Sequence, residues 1–203
     1  MAYSPLTEQL MEALQVLPGV GARSAERMAL QLMERDRDGA LMLSQALQRA
    51  LDGVMQCDKC RILTEQTVCD LCQDADRDHS RLCVVETPQD CEAIELSGGY
   101  SGDYFVLQGH LSPIDGIGPE ELGLPLLVDR LSQGVIQEVI LATNATMEGE
   151  ATAHYLTEQI KPLNIDVSRI ARGIQAGSEL GRIDSHSLSQ AMTDRKSLGF
   201  EHD

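Results

Sequence analysis

The chain has 203 residues and a formal net charge of −16, from 16 Lys and Arg against 32 Asp and Glu. This length fits one large domain or two to three small modules. The net negative charge argues against a protein whose whole surface binds polyanions. There is no tryptophan and there are only two Phe and four Tyr, so a platform of aromatic side chains for stacking nucleic-acid bases is excluded.

The first predicted module covers residues 1–53 and is helical. Leu6, Leu10, Leu14 and Leu17 follow a helical spacing up to the break at Pro18, and further helices are predicted over 22–36 and 40–55. Residues 1–52 carry 5 basic and 7 acidic side chains, whereas residues 81–203 carry 8 and 19. We therefore expect any nucleic-acid surface to lie in this nearly neutral N-terminal part.

The segment Leu-Pro-Gly-Val-Gly, residues 17–21, predicts a tight turn between the first two helices. Gly19 and Gly21 permit this turn and leave backbone amides exposed where the second helix begins, an arrangement that suits a phosphate oxygen. Arg23 and Arg27 lie on one face of that helix. The pattern is typical of a helix-hairpin-helix that grips the DNA backbone without reading bases, and the alternative is a plain helix connection with solvated arginines.

Residues 54–76 form a second predicted module around Cys57, Cys60, Cys69 and Cys72. Two Cys-x-x-Cys pairs supply the four sulfurs of a tetrahedral zinc site, and so short a loop needs metal to fold. The alternatives are a redox dithiol, which needs only one pair, and two disulfides, which conflict with a reducing cytoplasm. We expect one structural Zn²⁺ per chain. The remaining two cysteines are expected to be small buried hydrophobic residues.

From residue 80 short apolar runs alternate with helical patterns, which predicts a parallel α/β sheet over residues 80–172. Strands are predicted at 81–86, 104–109 and 138–144, and the intervening helices at 88–97, 122–134 and 149–163. The polar run at 73–81 is predicted to be a connector. A last strand is predicted at 166–173, and a C-terminal extension, residues 173–203, contains a predicted closing helix at 187–195.

Polar side chains follow two of these strands. Glu86 ends the first strand, where open α/β sheets place their sites. This half resembles the Toprim domain of primases and topoisomerases, which binds magnesium through a Glu after the first strand and an Asp-x-Asp-x-x-Gly motif after a later one. The two aspartates are replaced by Asn144 and Thr146, which disfavours a two-metal centre, while weak magnesium binding through nearby carboxylates stays open. The polar side chains predicted at this edge of the sheet are Glu86, Asn144, Glu148 and Glu150.

A hairpin, a four-cysteine cluster and a degenerate Toprim domain, in this order, resemble the RecR family of bacterial recombination proteins over nearly the whole chain. The segments LPGVGARSAERMA, CDKC with CDLC, VVETPQD and VILATNATMEGEATAHYL carry the resemblance. It implies a non-enzymatic mediator that forms homodimers or homotetramers able to encircle DNA. Such proteins act with RecO and RecF to help RecA displace single-strand binding protein at gaps.

The resemblance also implies roles for individual residues. DNA contacts would fall on Arg23 and Arg27, and partner contacts on Glu86, Glu148 and Glu150. The alternative function is a magnesium-dependent nuclease or topoisomerase-like enzyme. Without a signal peptide or an apolar run of about 20 residues, the chain is expected in the bacterial cytoplasm, associated with the nucleoid and with no membrane contact.

Overall fold

A computed structural model gives the fold of residues 3–171, 174 and 177–193. The chain divides into two compact units, Met1–Met55 and Gln56–Asp203.

The first unit contains three helices: α1 (Pro5–Leu14), α2 (Ala22–Leu30) and α3 (Arg37–Gly53). The Ser4 hydroxyl accepts a hydrogen bond from the Thr7 amide at the start of α1, and Asp36 caps α3 in the same way. Helix α1 ends three residues before the prediction. Tighter i→i+3 bonds replace the α-helical ones from Gln15 to Leu17, where the chain approaches Pro18.

Helix α2 packs against α1 through its smallest side chains. Ala25 and Ala29 are the buried residues of α2, and their size allows the two helices to approach closely. The chain then continues through one π-helical turn, Gln31–Arg35, in which the Asp36 amide bonds to the Gln31 carbonyl at 3.1 Å. The sequence predicts an uninterrupted helix over 22–36, so this wide turn is a feature that the pattern of apolar residues did not reveal.

The second unit is a four-stranded parallel sheet with a small cysteine module before it. The sheet has the order β4–β3–β5–β6, which confirms the predicted parallel α/β architecture. The module consists of β1 (Met55–Gln56), β2 (Leu63–Thr64) and α4 (Asp70–Gln73). The sheet and its helices are β3 (Asp78–Val85), α5 (Pro88–Ser97), β4 (Gly102–Val106), α6 (Leu124–Leu131), β5 (Glu138–Ala142), α7 (Met147–Ile160), β6 (Asp166–Arg169) and α8 (Ser185–Thr193).

Alternate residues of β3 face two different cores. Leu82 and Val84 pack into a core that includes Leu127 of α6 and Leu156 of α7. The residues between them, Cys83 and Val85, face a second core on the other side of the sheet. That second core contains the four module cysteines and Cys91 of α5, so the cysteine module covers part of one sheet face.

One prediction is corrected by the strands. Residues 78–81 are not connector but the start of β3, because Asp78 bonds to Ser80 and Arg81 and its amide pairs with the Ser101 carbonyl. His79 lies in this strand, and its Nδ1 is hydrogen-bonded to Asp103 at 2.9 Å.

At the C-terminal end the predicted strand and helix are found at β6 and α8, and residues 172, 173, 194 and 195 of those predictions lie outside the described residues. Within the part of the chain that the structure describes, no helix is both long enough and apolar enough to cross a bilayer.

Candidate DNA-binding, metal and Toprim sites

The glycine turn exposes the beginning of α2. Gly19 has φ = +78°, in the left-handed region that favours glycine. Gly21 then precedes the helix with an extended backbone, and no side chain caps the first turn. Its amides are therefore available to an external acceptor, and the helix dipole places partial positive charge there.

Arg23 and Arg27 lie exposed beside this helix start. Neither forms an ion pair with another described residue, so both charges are open to a ligand. They line a groove of about 410 Å³ that continues along the helix. The geometry is the one that phosphate binding needs: free amides at a helix start and cations on the adjoining face.

The four module cysteines converge. Their Sγ atoms all lie within 4.8 Å of one another, and all four residues are buried. The first pair is closed by a hydrogen bond from the Arg61 amide to the Cys57 carbonyl at 2.9 Å, with Arg61 at φ = +66°. The second pair is closed by a hydrogen bond from the Cys72 amide to the Cys69 carbonyl at 3.0 Å. Each Cys-x-x-Cys segment is thus a tight turn that points two sulfurs inward.

The electrostatics of the sulfurs favour a cation at their centre. Hydrogen bonds, first from Cys72, lower the pKa of Cys60 to about 5, while burial raises the pKa of Cys69 to about 11. The thiolate form of Cys60 is therefore stabilised, while Cys69 is held in its protonated form. The Cys60–Cys69 sulfur distance is 3.4 Å, close to the separation of about 3.8 Å expected for two thiolates bound at about 2.3 Å to a tetrahedral zinc. The donor set and spacing fit a closed four-sulfur site.

Cys83 and Cys91 do not belong to this group. Both are buried, and burial raises the pKa of each thiol to about 12. They pack as small apolar side chains, as the sequence predicts.

Two arginines that the sequence analysis missed hold the cysteine module on the sheet. The Arg61 guanidinium donates to the carbonyls of Val106, Leu107, Glu121 and Leu122 and stacks over Phe105. Arg130 donates to the Lys59 carbonyl at 2.8 Å and to the Tyr104 carbonyl at 2.8 Å. The Val106 amide also bonds to the Cys60 carbonyl at 2.9 Å. The cysteine module is therefore held in place on the sheet by these hydrogen bonds.

The Glu86 carboxylate at the end of β3 is buried, with 3 % of the residue exposed. Both of its oxygens accept hydrogen bonds from Asn144: the backbone amide lies 2.8 Å from Oε1 and the side-chain amide 2.7 Å from Oε2. Nδ1 of His110 lies 3.6 Å from Oε2. Gly149 packs against this pair so closely that a Cβ would meet Glu86 and the Asn144 carbonyl.

The other residues of the predicted acidic face point elsewhere. The Thr146 hydroxyl accepts a bond from the Gly149 amide at 3.1 Å and so caps α7. Glu150 pairs with Arg169 at 2.5 Å, and Glu148 is exposed. Among the described residues, the four cysteines are the only group of three or more metal-binding side chains close enough to hold an ion. Glu86, Glu148 and Glu150 do not form such a group.

Comparison with known proteins finds a matching family model in the N-terminal part of the chain and another in the sheet-containing part. The family model described as "RecR, helix-hairpin-helix" matches residues 7–51, and the model described as "Toprim domain" matches residues 80–171. A relative from Stutzerimonas stutzeri is 53% identical over 98% of this chain and all of its own length. Relatives from Acinetobacter baylyi and Saccharophagus degradans are each 54% identical over 97% of this chain, covering 99% and 100% of their own. All three are named "Recombination protein RecR".

Proposed function

The chain belongs to the RecR family of recombination proteins, and we propose that it is a non-enzymatic mediator of recombinational DNA repair. In this proposal it is a zinc-stabilised subunit of a DNA clamp, associated with the nucleoid in the cytoplasm. It works with RecO and RecF to load RecA at single-strand gaps.

The observation that carries the proposal is the uncapped start of α2 with Arg23 and Arg27 beside it. Amides that follow Gly19 and Gly21 would receive one phosphate, and the two guanidinium groups would neutralise its neighbours. Such contacts depend on the backbone and not on base identity, which suits a protein that must act at any gap. One hairpin binds weakly, so affinity would come from several hairpins acting together.

The state of Glu86 supports a non-enzymatic role. A catalytic Toprim centre needs carboxylate oxygens that are free to bind magnesium. Here Asn144 donates to both oxygens, and Thr146 is used as a helix cap. The domain keeps the shape of a phosphoryl-transfer fold, but its acid acts as a hydrogen-bond acceptor within the structure.

We propose Zn²⁺ as the resident ion of Cys57, Cys60, Cys69 and Cys72, with a structural role. Four sulfurs fill a tetrahedral shell and leave no open position for substrate. Bound zinc would let all four thiols ionise and would hold the module against the second core of the sheet.

Self-association is supported by α3, none of whose residues is buried in one copy. Leu43, Leu47 and Leu51 lie along one side of it and are 46%, 57% and 79% exposed. A second copy that presents the same apolar face would bury these leucines and form an isologous dimer. A tetramer would need a second, different interface on each chain.

The proposed partner surface lies at the carboxyl edge of the sheet. Glu148 is exposed there and is free to meet a basic surface, whereas Glu86 is buried and would act indirectly, by fixing the turn after β5. RecO and RecF remain the proposed partners, on the strength of family membership.

DNA binding is tested with the double variant Arg23→Glu, Arg27→Glu. Fluorescence anisotropy with a labelled gapped duplex should show affinity reduced by at least about tenfold, with zinc content and circular dichroism unchanged. Arg49→Glu, an exposed arginine of α3, is the matched control and should bind as the unaltered protein does. Unchanged affinity of the double variant would remove this face from the function.

The enzymatic alternative is tested on supercoiled plasmid DNA. With magnesium present we expect neither nicking nor relaxation. Activity that is lost in Glu86→Gln would instead establish the magnesium-dependent nuclease or topoisomerase-like function.

A further inference from the structure

The groove beside Arg23 and Arg27 extends beyond α2 into the π-helical turn. Its lining includes Gln31 and Arg35, in addition to the two arginines. Arg35 is exposed and has no ion-pair partner among the described residues. Three guanidinium groups that form no ion pair among the described residues therefore line a single groove.

The π-helical turn is what brings Arg35 to this groove. Residues of an α-helix are about 100° apart, so an uninterrupted helix would place Arg35 about 120° from Arg23. The same helix would place Glu34 only about 20° from Arg23, in the middle of the basic row. A π-helical turn takes more residues to complete a circle and so advances less at each step.

The wide turn reverses this arrangement. Over Gln31–Arg35 the backbone closes an i→i+5 bond, from the Asp36 amide to the Gln31 carbonyl at 3.1 Å. Taking about 4.4 residues for a π-helical turn, Arg35 returns to within about 50° of Arg23. Glu34 moves to the opposite side of the row.

Two acidic residues, Glu26 and Glu34, also line this groove. Glu26 accepts a hydrogen bond from the Tyr3 hydroxyl at 2.5 Å. That bond, together with the charges of Glu26 and Glu34, raises the pKa of Tyr3, which places both carboxylates near this tyrosine. A phosphate backbone would be attracted by the three arginines of the groove and repelled by these two carboxylates.

We propose that Arg35 is a third DNA-phosphate contact of the hairpin, placed in the row of Arg23 and Arg27 by the π-helical turn. Twelve residues at about 1.5 Å each give the row a length of about 18 Å, enough to follow several phosphates of one strand. Arg35 is the far end of this row. The inference rests on the proposed DNA binding by the hairpin.

The test is the salt dependence of DNA affinity. Anisotropy titrations with duplex DNA at several potassium chloride concentrations give the slope of log K against log salt for the full-length, zinc-loaded protein. Arg35→Ala should reduce the size of this slope by about 0.9 for each engaged hairpin, and Arg23→Ala should do the same. Arg35→Lys should restore most of the slope, because a phosphate contact needs mainly the charge.

The control is Arg49→Ala, which removes an exposed arginine from α3 and should leave the slope unchanged. Arg35→Gln is the second variant, used with circular dichroism and zinc analysis to separate a lost contact from a folding defect. A slope that falls in Arg23→Ala but in neither Arg35→Ala nor Arg35→Gln would overturn this inference and leave the proposed function intact. A slope that is unchanged in Arg23→Ala, Arg35→Ala and Arg35→Gln alike would overturn both.

Discussion

Replacing Asn144 tests whether the Glu86 carboxylate is held as a structural acceptor. Asn144→Ala removes the side-chain donor to Oε2 and keeps the backbone donor to Oε1. Losing one hydrogen bond to a buried charged group costs about 1–3 kcal/mol. We therefore expect Asn144→Ala to lower the free energy of unfolding by about 2 kcal/mol.

Asn144→Asp goes further, because it places a second carboxylate where the amide donor was. Two unit charges about 4 Å apart repel by about 4 kcal/mol at an effective dielectric constant of 20. Asn144 is exposed, so water screens part of this repulsion, and we expect the variant to lose about 2–4 kcal/mol in total. Millimolar magnesium should restore part of the lost stability. The Glu86 carboxylate and the new carboxylate at position 144 would form a pair of magnesium ligands that the unaltered protein lacks.

The assay is urea unfolding followed by circular dichroism, at fixed protein and zinc concentrations because the protein is proposed to self-associate. The double variant Glu86→Gln, Asn144→Asp exchanges the amide and the carboxylate and should recover part of the lost stability. If both single variants unfold at the same urea concentration as the unaltered protein, the bonds between Asn144 and Glu86 do not hold this edge of the sheet, and the reasoning is refuted.

Three further predictions concern the second unit. A strong chelator should release about one zinc per chain and lower the thermal midpoint, and Cys60→Ser should purify with less metal by atomic absorption. Arg130→Ala should cost about 3 kcal/mol in urea unfolding, because it leaves the buried Asp103 carboxylate without its 2.5 Å partner, and adding Asp103→Asn should recover part of this loss. The hydrogen bond from Arg77 lowers the pKa of Glu95, so this carboxylate stabilises the fold fully above its ordinary value of 4.5, and the stabilisation is lost as the pH falls through the lowered folded-state pKa. Urea midpoints should accordingly show Glu95→Gln less stable than the unaltered protein at pH 7, with a difference that shrinks as the pH is lowered below 4.5.

Local signals were enough to predict several elements. Helix α5 was predicted over 88–97 and is found at Pro88–Ser97, because its ends are marked in the sequence. Thr87 and Asp90 form a capping box, Pro88 occupies the first helical turn, and Gly98 ends the helix at φ = +64°. The cysteine group was equally accessible, since the spacing of each pair already determines the turn.

Long-range contacts were not accessible in this way. Arg61 bonds to a carbonyl 45 residues away, and Arg130 reaches one that is 71 residues away. Neither arginine belongs to a periodic pattern, because each is selected by the packing of the cysteine module on the sheet. The replacement of an aspartate by Asn144 was visible in the sequence, but its two bonds to Glu86 follow only from the meeting of β3 and β5.

The burial of the four cysteines against the sheet has a consequence for biosynthesis. The cysteine module leaves the ribosome before β3 and β4 do, so its sulfurs are open ligands while the strands that cover them are still being made. Once the sheet has formed, Val106 and Arg61 tie the module down, and the sulfurs are closed off from water. Metal captured early in synthesis should then exchange only as fast as this face opens locally, so the ion would be retained by a kinetic barrier as well as by its affinity.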